Sequence, residues 1–313
     1  MSKNILLYRL VCNAICQREI RMNAHKHLKL AERTYIYMSG LVDHSKNILS
    51  IQTVQIAPFR TLMTALKDIL LETNITFTPE GIKIINMDKS HTILAHLSLH
   101  ADKFETYDCK MDKIIIGVNM LHLFKLINTI DNDDTLTIYI EESDYMDGVV
   151  QYLGLKFENG DIKQQKFQKL RLIEPEHEEL IVPEVVFSSV LNLPAADFQK
   201  TIRDLSCISD KIEIRSVVGS EGAELIFRCS GGFAQAEVRR AESDGSMQYI
   251  KTQDKSKIIQ GEFSLKNLGY FIKCTNLCNT IEMYLENNMP LVVKYNVASL
   301  GEIKLCLAPL PSS

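Results

Sequence analysis

No window of the 313-residue sequence approaches the roughly 20 consecutive apolar residues that a membrane-spanning helix needs. The apolar start, Ile5 to Val11, is interrupted by Tyr8 and Arg9, and no small-residue cleavage site follows it. No membrane association and no secretory leader are therefore expected. A P-loop, a Gly-rich dinucleotide fingerprint and a nucleophile elbow are also missing. Tryptophan is absent too, which excludes nothing. Cysteine is present at eight scattered positions, which suits reduced thiols inside a cell better than a disulfide framework. Cys12-x-x-x-Cys16 with His25 and His27, and Cys274-x-x-x-Cys278, match no common zinc spacing, so neither a metal nor a cofactor is expected. An enzyme survives only as a Cys–His nucleophile pair among scattered residues such as His91, His96 and His122, and it would need a thiolate-stabilising neighbour.

What is present is globular: 46% hydrophobic and 24% charged residues. The net charge of −4 is unevenly spread. Residues 1–50 hold eight Lys or Arg against three acids, whereas the remainder has 27 against 36. An acidic body is a poor nucleic-acid binder unless its basic residues are placed. Four segments have helical spacing of apolar residues: Pro58 to Leu71, Asn119 to Ile130, Ala195 to Ile208 and Ser264 to Asn276. Pro58 suits a first helical position, and Ser264 suits an N-cap. Their polar faces carry Arg60, Lys67, Lys125, Lys200, Arg203, Lys266 and Lys273 against Asp68, Asp197 and Asp204. Arg60 and Lys67, like Lys266 and Lys273, are seven apart and share a face. Ordinary amphipathic helices also carry Lys and Arg on the wet side. The repeated pattern against an acidic remainder favours an electrostatic track for a phosphate backbone, which needs positive charge and no base readout.

Elsewhere the chain reads as short strands: Ile48–Gln55, Thr76–Ile85, Thr92–Leu99, Thr135–Glu141, Gln151–Phe157, Val185–Leu191, Lys211–Val217, Glu224–Cys229, Thr280–Leu285, Leu291–Tyr295 and Glu302–Leu307. The fold class is therefore α+β, with large antiparallel sheets and few helices. The four helices fall into two pairs. Ala65-Leu-Lys-Asp-Ile69 is similar to Thr201-Ile-Arg-Asp-Leu205, and Val118 to Ile130 is similar to Phe263 to Thr275. Two copies of one domain are expected, residues 48–171 and 186–313. A linker at 172–185 joins them, and a basic extension covers residues 1–47.

Gly81-Ile-Lys-Ile-Ile-Asn-Met-Asp-Lys-Ser-His-Thr-Ile-Leu-Ala-His-Leu-Ser-Leu99 resembles the first-domain signature of the eukaryotic proliferating cell nuclear antigen (PCNA) family of DNA polymerase sliding clamps. Phe104–Cys109, Ile116–Asn119, Phe198–Ser206, Pro290–Val293 and Leu307–Pro309 continue the resemblance in order, from about Ile48 to Pro309. It implies the DNA-clamp fold: two similar domains, sheets outside and helices inside, with three copies closing head to tail into a ring around duplex DNA. Arg60, Lys67, Lys125, Arg203, Lys266 and Lys273 match basic hole-lining positions of the family. Thr61 and Asn128 stand where the family tends to be basic. Ring closure would pair edge strands near Lys163–Arg171 and Phe233–Arg240.

The resemblance also implies a pocket for short helical plugs of DNA polymerase, clamp loader and other PCNA-motif partners. Its positions here are Met87, His91, Leu180, Val182, Pro290, Ala308 and Pro309. Cys306 replaces a usual aromatic residue, and the tail ending at Ser313 lacks the family's acidic end. The family would place the protein in the nucleus, or at a cytoplasmic replication site if virus-encoded. Residues 1–47 fall outside the family pattern; a start assigned too early is one reading, with Met22 and Met38 as later starts. A subunit of a heterotrimeric checkpoint-type clamp and a DNA-independent scaffold stay open as alternatives.

Overall fold

The computed structural model describes residues 46–160, 163–176, 180, 182, 185–220, 222–255 and 257–311. The features noted at Cys12, Cys16, Met22, His25, His27 and Met38, and much of the linker, lie outside the described residues. From Ile48 onward the chain is one compact unit.

The first half runs β1 (Asn47–Thr53), α1 (Ile56–Ile69), β2 (Glu72–Thr78), β3 (Gly81–Met87), β4 (Ile93–His100), β5 (Thr106–Cys109), β6 (Ile114–Asn119) and α2 (Met120–Ile127). It continues with β7 (Thr135–Glu141), a small hairpin of β8 (Tyr145–Met146) and β9 (Val149–Val150), β10 (Tyr152–Asn159) and β11 (Gln164–Arg171). The second half runs β12 (Ser189–Pro194), α3 (Ala195–Ser206), β13 (Lys211–Val218), β14 (Ala223–Ser230), β15 (Gln235–Ala241), β16 (Gln248–Lys251) and β17 (Ile259–Ser264). It ends with α4 (Leu265–Phe271), β18 (Thr280–Leu285), β19 (Leu291–Val297) and β20 (Gly301–Leu307). Apart from the small hairpin, both halves follow one order: strand, helix, five strands, helix, three strands.

Alternation explains the strands. In β1 every second residue is buried, and β2, β4, β12 and β18 follow the same rule. The helices follow their apolar stripes. On α1, Ile56, Phe59, Leu62, Met63, Ala65, Leu66 and Ile69 are buried. Its start precedes Pro58 by two residues, so Pro58 is not the first helical residue. It still lies in the first turn, where a missing N–H leaves no intrahelical bond unmade. The Asn119 side chain accepts from His122 N at 3.1 Å and caps α2, and Ser264 Oγ accepts from Asn267 N at 3.3 Å and caps α4.

Three expected elements differ. The strand expected at Val185–Leu191 begins only at Ser189 and continues to Pro194 as β12, leaving residues 185–188 outside any strand. Thr76–Ile85 is a hairpin, because Pro79 and Glu80 form a two-residue turn and Thr78 pairs with Gly81. The last helix stops at Phe271 and continues as a 3₁₀ turn, Ile272–Leu277. There the Thr275 hydroxyl donates to the Ile272 carbonyl at 2.7 Å. Lys266 and Lys273 thus sit on different helix types, and the seven-residue face does not carry through.

The strands form three main sheets, ordered β11-β10-β7-β1-β5, β16-β12-β18-β19-β20-β4-β3-β2-β6 and β15-β14-β13-β17. The nine-stranded sheet joins the halves where β20 pairs antiparallel with β4, from Gly301↔Leu99 to Leu307↔Ile93. The helices pack in a row, α2 on α1, α1 on α4 and its 3₁₀ turn, and these on α3. β11 and β15, close to the two segments expected at ring closure, each end a sheet.

Two glycines press on the end of β4. A Cβ at Gly81 would lie 1.9 Å from the Leu99 carbonyl oxygen, and one at Gly301 would lie 2.1 Å from that of Ser98. Both obstacles are backbone, so relief requires the sheet to move. Gly301→Ala should cost about 2 kcal/mol or more. Gly232→Ala, which meets nothing within 4 Å, should stay within about 0.5 kcal/mol. Denaturant titration of both variants checks the contrast.

Candidate functional site

Two surfaces hold the residues singled out from the sequence. The first is the helix row. Lys125, Lys200, Arg203 and Lys266 are exposed, and none of them pairs with an acid among the described residues. The other three are engaged. The Arg60 guanidinium donates to the Ile130 carbonyl just beyond α2, and its Nε is buried without a hydrogen-bond partner among the described residues. Arg60 is thus half-buried, tying α1 to α2, and not freely presented as expected. The reason is packing: α2 lies across the flank of α1 that carries Arg60 and Lys67. Lys67 donates to Asp68 at 2.6 Å and stands 4.9 Å over the Phe124 ring centroid. Lys273 also donates to Asp68 and stands 5.4 Å over Tyr270. Of the other acids on these helices, Asp197 is paired at 2.9 Å with Arg240 from β15. Thr61 spends its hydroxyl on the Ala57 carbonyl at 3.0 Å.

The second surface is a cavity of about 420 Å³ on the outer face of the nine-stranded sheet. Register builds its floor. Met87 lies opposite Leu94, Leu94 opposite Cys306, Cys306 opposite Val292, and Val292 opposite Tyr284. One transverse row of side chains therefore crosses five strands and both halves. The next row is polar, with Lys304 opposite His96 and also opposite Lys294. Lys304 and Lys294 both pair with Glu302, at 2.9 and 3.4 Å. Burial and then Lys304 push His96 below its ordinary pKa, so it is neutral near pH 7. Burial lifts the Cys306 thiol to about 11, keeping it protonated and apolar in character.

Val182, Val185 and Phe187 wall the cavity from the connecting segment. Phe187 packs edge-on against Tyr284, with ring centroids 5.5 Å apart. Farther back, Asn74 holds the same segment. Its Nδ2 donates to the Glu176 carbonyl at 2.6 Å, and its Oδ1 accepts from Glu176 N at 3.0 Å.

Of the expected pocket residues, Met87, His91, Val182, Pro290 and Ala308 line this cavity. Leu180 instead lines an adjoining cavity of about 280 Å³, which shares Met87 and His91. Pro309 follows Ala308 in the chain but is not part of either lining. Leu94, His96, Phe187, Tyr284, Val292 and Lys304 also line the cavity, a role that no local sequence pattern marks. Alternation on β4 and β20 was visible, but pairing these strands requires the register. Among the described residues no group of His, Cys, Asp or Glu could hold a metal, and no helix is long and apolar enough to cross a membrane.

The sequence matches the family model "Proliferating cell nuclear antigen, N-terminal domain" over residues 48–179 and the corresponding C-terminal domain model over residues 181–310. The chain belongs to the PCNA family. It is similar to the "Probable DNA polymerase sliding clamp 1" of Paramecium bursaria Chlorella virus 1, with 30% identity over 276 residues, covering 87% of this chain and 100% of that protein. The two PCNA-domain matches adjoin at Leu180, in the segment that borders both cavities.

A turn places His91, which borders both cavities. The Asp88 carboxylate accepts from the backbone N–H groups of Ser90, Thr92 and Ile93 at 3.1, 2.8 and 2.6 Å, and His91 is held at φ 53°. Burial pushes the Asp88 pKa up, but these bonds and the Ser90 hydroxyl outweigh it and hold the carboxyl below its ordinary value. A folded pKa below the unfolded one contributes stability above about pH 4, and that contribution is lost as pH falls further. Asp88→Ala should therefore cost about 1–2 kcal/mol at pH 7. The gap from the unmodified protein should narrow by pH 3, as paired denaturation curves at the two pH values will show.

Proposed function

We propose that the protein is a sliding clamp. Three copies close head to tail around duplex DNA, sequence-independently, and tether DNA polymerase and other replication enzymes to it. It performs no chemistry itself. A closed ring cannot thread onto DNA without ends, so an ATP-driven clamp loader would place it. The observation that carries this reading is the ordered match of both PCNA domains across residues 48–310.

The geometry supports it. The helix row exposes Lys125, Lys200, Arg203 and Lys266 on one layer of an otherwise acidic body. Phosphates would meet positive charge there without base readout. The outer edges of β11 and β15 would pair between subunits, which removes two open sheet edges. The cavity over Met87, Leu94, Cys306 and Val292 would take the apolar anchor of a short helical plug from a partner. The site of action is then wherever DNA is replicated: the nucleus, or a cytoplasmic replication site for a virus-encoded clamp.

Light scattering behind a sizing column should give a mass near three times 35.6 kDa. A stable monomer would count against self-closure and favour a heteromeric ring. Loaded on nicked circular DNA, the ring should be retained at high salt and released on linearisation. The combined change Lys125→Ala, Arg203→Ala and Lys266→Ala should weaken binding to a duplex and reduce its logarithmic salt slope by about 0.9 per lost phosphate contact. Unchanged binding would remove these residues from the DNA-facing track.

The pocket is tested separately. Ala308→Phe, which fills the cavity, should reduce capture of a polymerase-derived helical peptide at least tenfold. Retention on circular DNA should be unaffected.

A further inference from the structure

Asp68 is the single acid on α1, and its carboxylate is shared by two cations. Oδ1 accepts from Lys67 Nζ at 2.6 Å, and Oδ2 accepts from Lys273 Nζ, which comes from the other half of the chain. Each ammonium has a second partner, the ring face of Phe124 or of Tyr270. Asp68 is 26% exposed, Lys67 18% and Lys273 39%. The cluster is thus partly desolvated yet open to an incoming anion. Burial pushes the Asp68 carboxyl up, but the hydrogen bonds from Lys273 and Lys67 prevail and keep it ionised at neutral pH. The exposed cations of the same row have no such partner among the described residues.

A carboxylate offers lysine much the same contact as a phosphate oxygen. Exchanging one for the other gains little, whereas a bare lysine pair would gain the full contact. We propose that Asp68 is a built-in counterion that occupies Lys67 and Lys273 before DNA arrives and so limits how tightly the helix row grips the duplex. This role rests on the DNA-facing reading above. A ring held on DNA by topology needs no strong contact, and a weaker grip lowers the barrier to sliding. Asp68 is then a positioning residue: it acts through two lysines and touches no DNA.

Binding of the full chain to a short labelled duplex, followed by fluorescence anisotropy across a salt series, tests this. Asp68→Asn keeps an acceptor but removes the charge. It should bind about threefold to tenfold more tightly at low salt. Its salt slope should steepen by about 0.9 for each lysine passed to a phosphate. Asp68→Glu keeps the charge and should retain the original slope. Adding Lys67→Ala and Lys273→Ala to Asp68→Asn should abolish the gain. Asp68→Ser serves as a second charge-removing variant should Asp68→Asn fold poorly.

Three results would overturn the proposal. If Asp68→Asn leaves the affinity and slope unchanged while the single lysine changes weaken binding, Asp68 is no counterion to DNA contacts. If charge removal lowers the Tm without moving the slope, Asp68 is a structural bridge only. If neither lysine change affects binding, the DNA-facing assignment of these two lysines fails, and the proposal fails with it.

Discussion

The antiparallel pairing of β4 with β20 is the constraint on which the rest of the molecule depends. Seven residue pairs, Gly301↔Leu99 through Leu307↔Ile93, fuse a strand from the first half with the last strand of the second. Without them both strands would present open edges. The pairing also assigns every side chain to a face. Ile93, Ala95, Leu97 and Leu99 with Ile303, Leu305 and Leu307 are buried on the helix side. Leu94, His96, Lys304 and Cys306 line the outer cavity. A slip of one residue would exchange the two sets, exposing six large aliphatic side chains and Ala95 and burying Lys304. The close backbone approaches at Gly81 and Gly301 fix the end of β4 against its neighbours.

Charge is arranged at two ranges. Across the body, acids outnumber bases, and the exposed helix-row cations stand out against them. At contact range, Asp68 reverses that contrast locally by holding Lys67 and Lys273. The pair Lys273–Asp68 also crosses from one half to the other, next to the packing of α1 on the 3₁₀ turn. One carboxylate therefore serves cohesion and electrostatics together. The same economy recurs at the outer face, where Glu302 holds both Lys294 and Lys304 beside the cavity.

Much of this was legible in the sequence, for identifiable reasons. Thr135–Glu141 and Thr280–Leu285 are strands with the bounds that β-branched and aromatic residues between turn formers imply. The four helices announced themselves by apolar spacing, and Asn119 and Ser264 by their capping chemistry. Other features needed three dimensions. β5, β6, β16 and β17 are short or lack clean alternation, so local pattern did not separate them from loops. The hairpin within Thr76–Ile85 was hidden because its turn, Pro79-Glu80, interrupts an otherwise continuous strand-like run. The engagement of Arg60 by the Ile130 carbonyl depends on how α2 crosses α1, which no single-helix pattern encodes. The pocket floor is likewise a property of register across five strands.

The same alternation that builds the sheet gives it two chemically distinct faces. Residues of β4 and β20 that point inward meet α1 and α4, while their immediate neighbours in sequence point into the outer cavity. One polar contact nevertheless links the two faces: the Asn267 amide on α4 donates to the Thr92 hydroxyl at 3.2 Å, and Thr92 lines the cavity. Elsewhere, buried apolar residues of β4 and β20 lie between the helix row and the cavity. For the clamp proposed above, a cavity occupant and the DNA backbone would sit on opposite faces of the sheet and would not compete for the same residues. Coupling between the surfaces has two physical routes: the β4–β20 backbone, whose strands are each paired on both sides, and the Asn267–Thr92 hydrogen bond from α4 to the cavity wall.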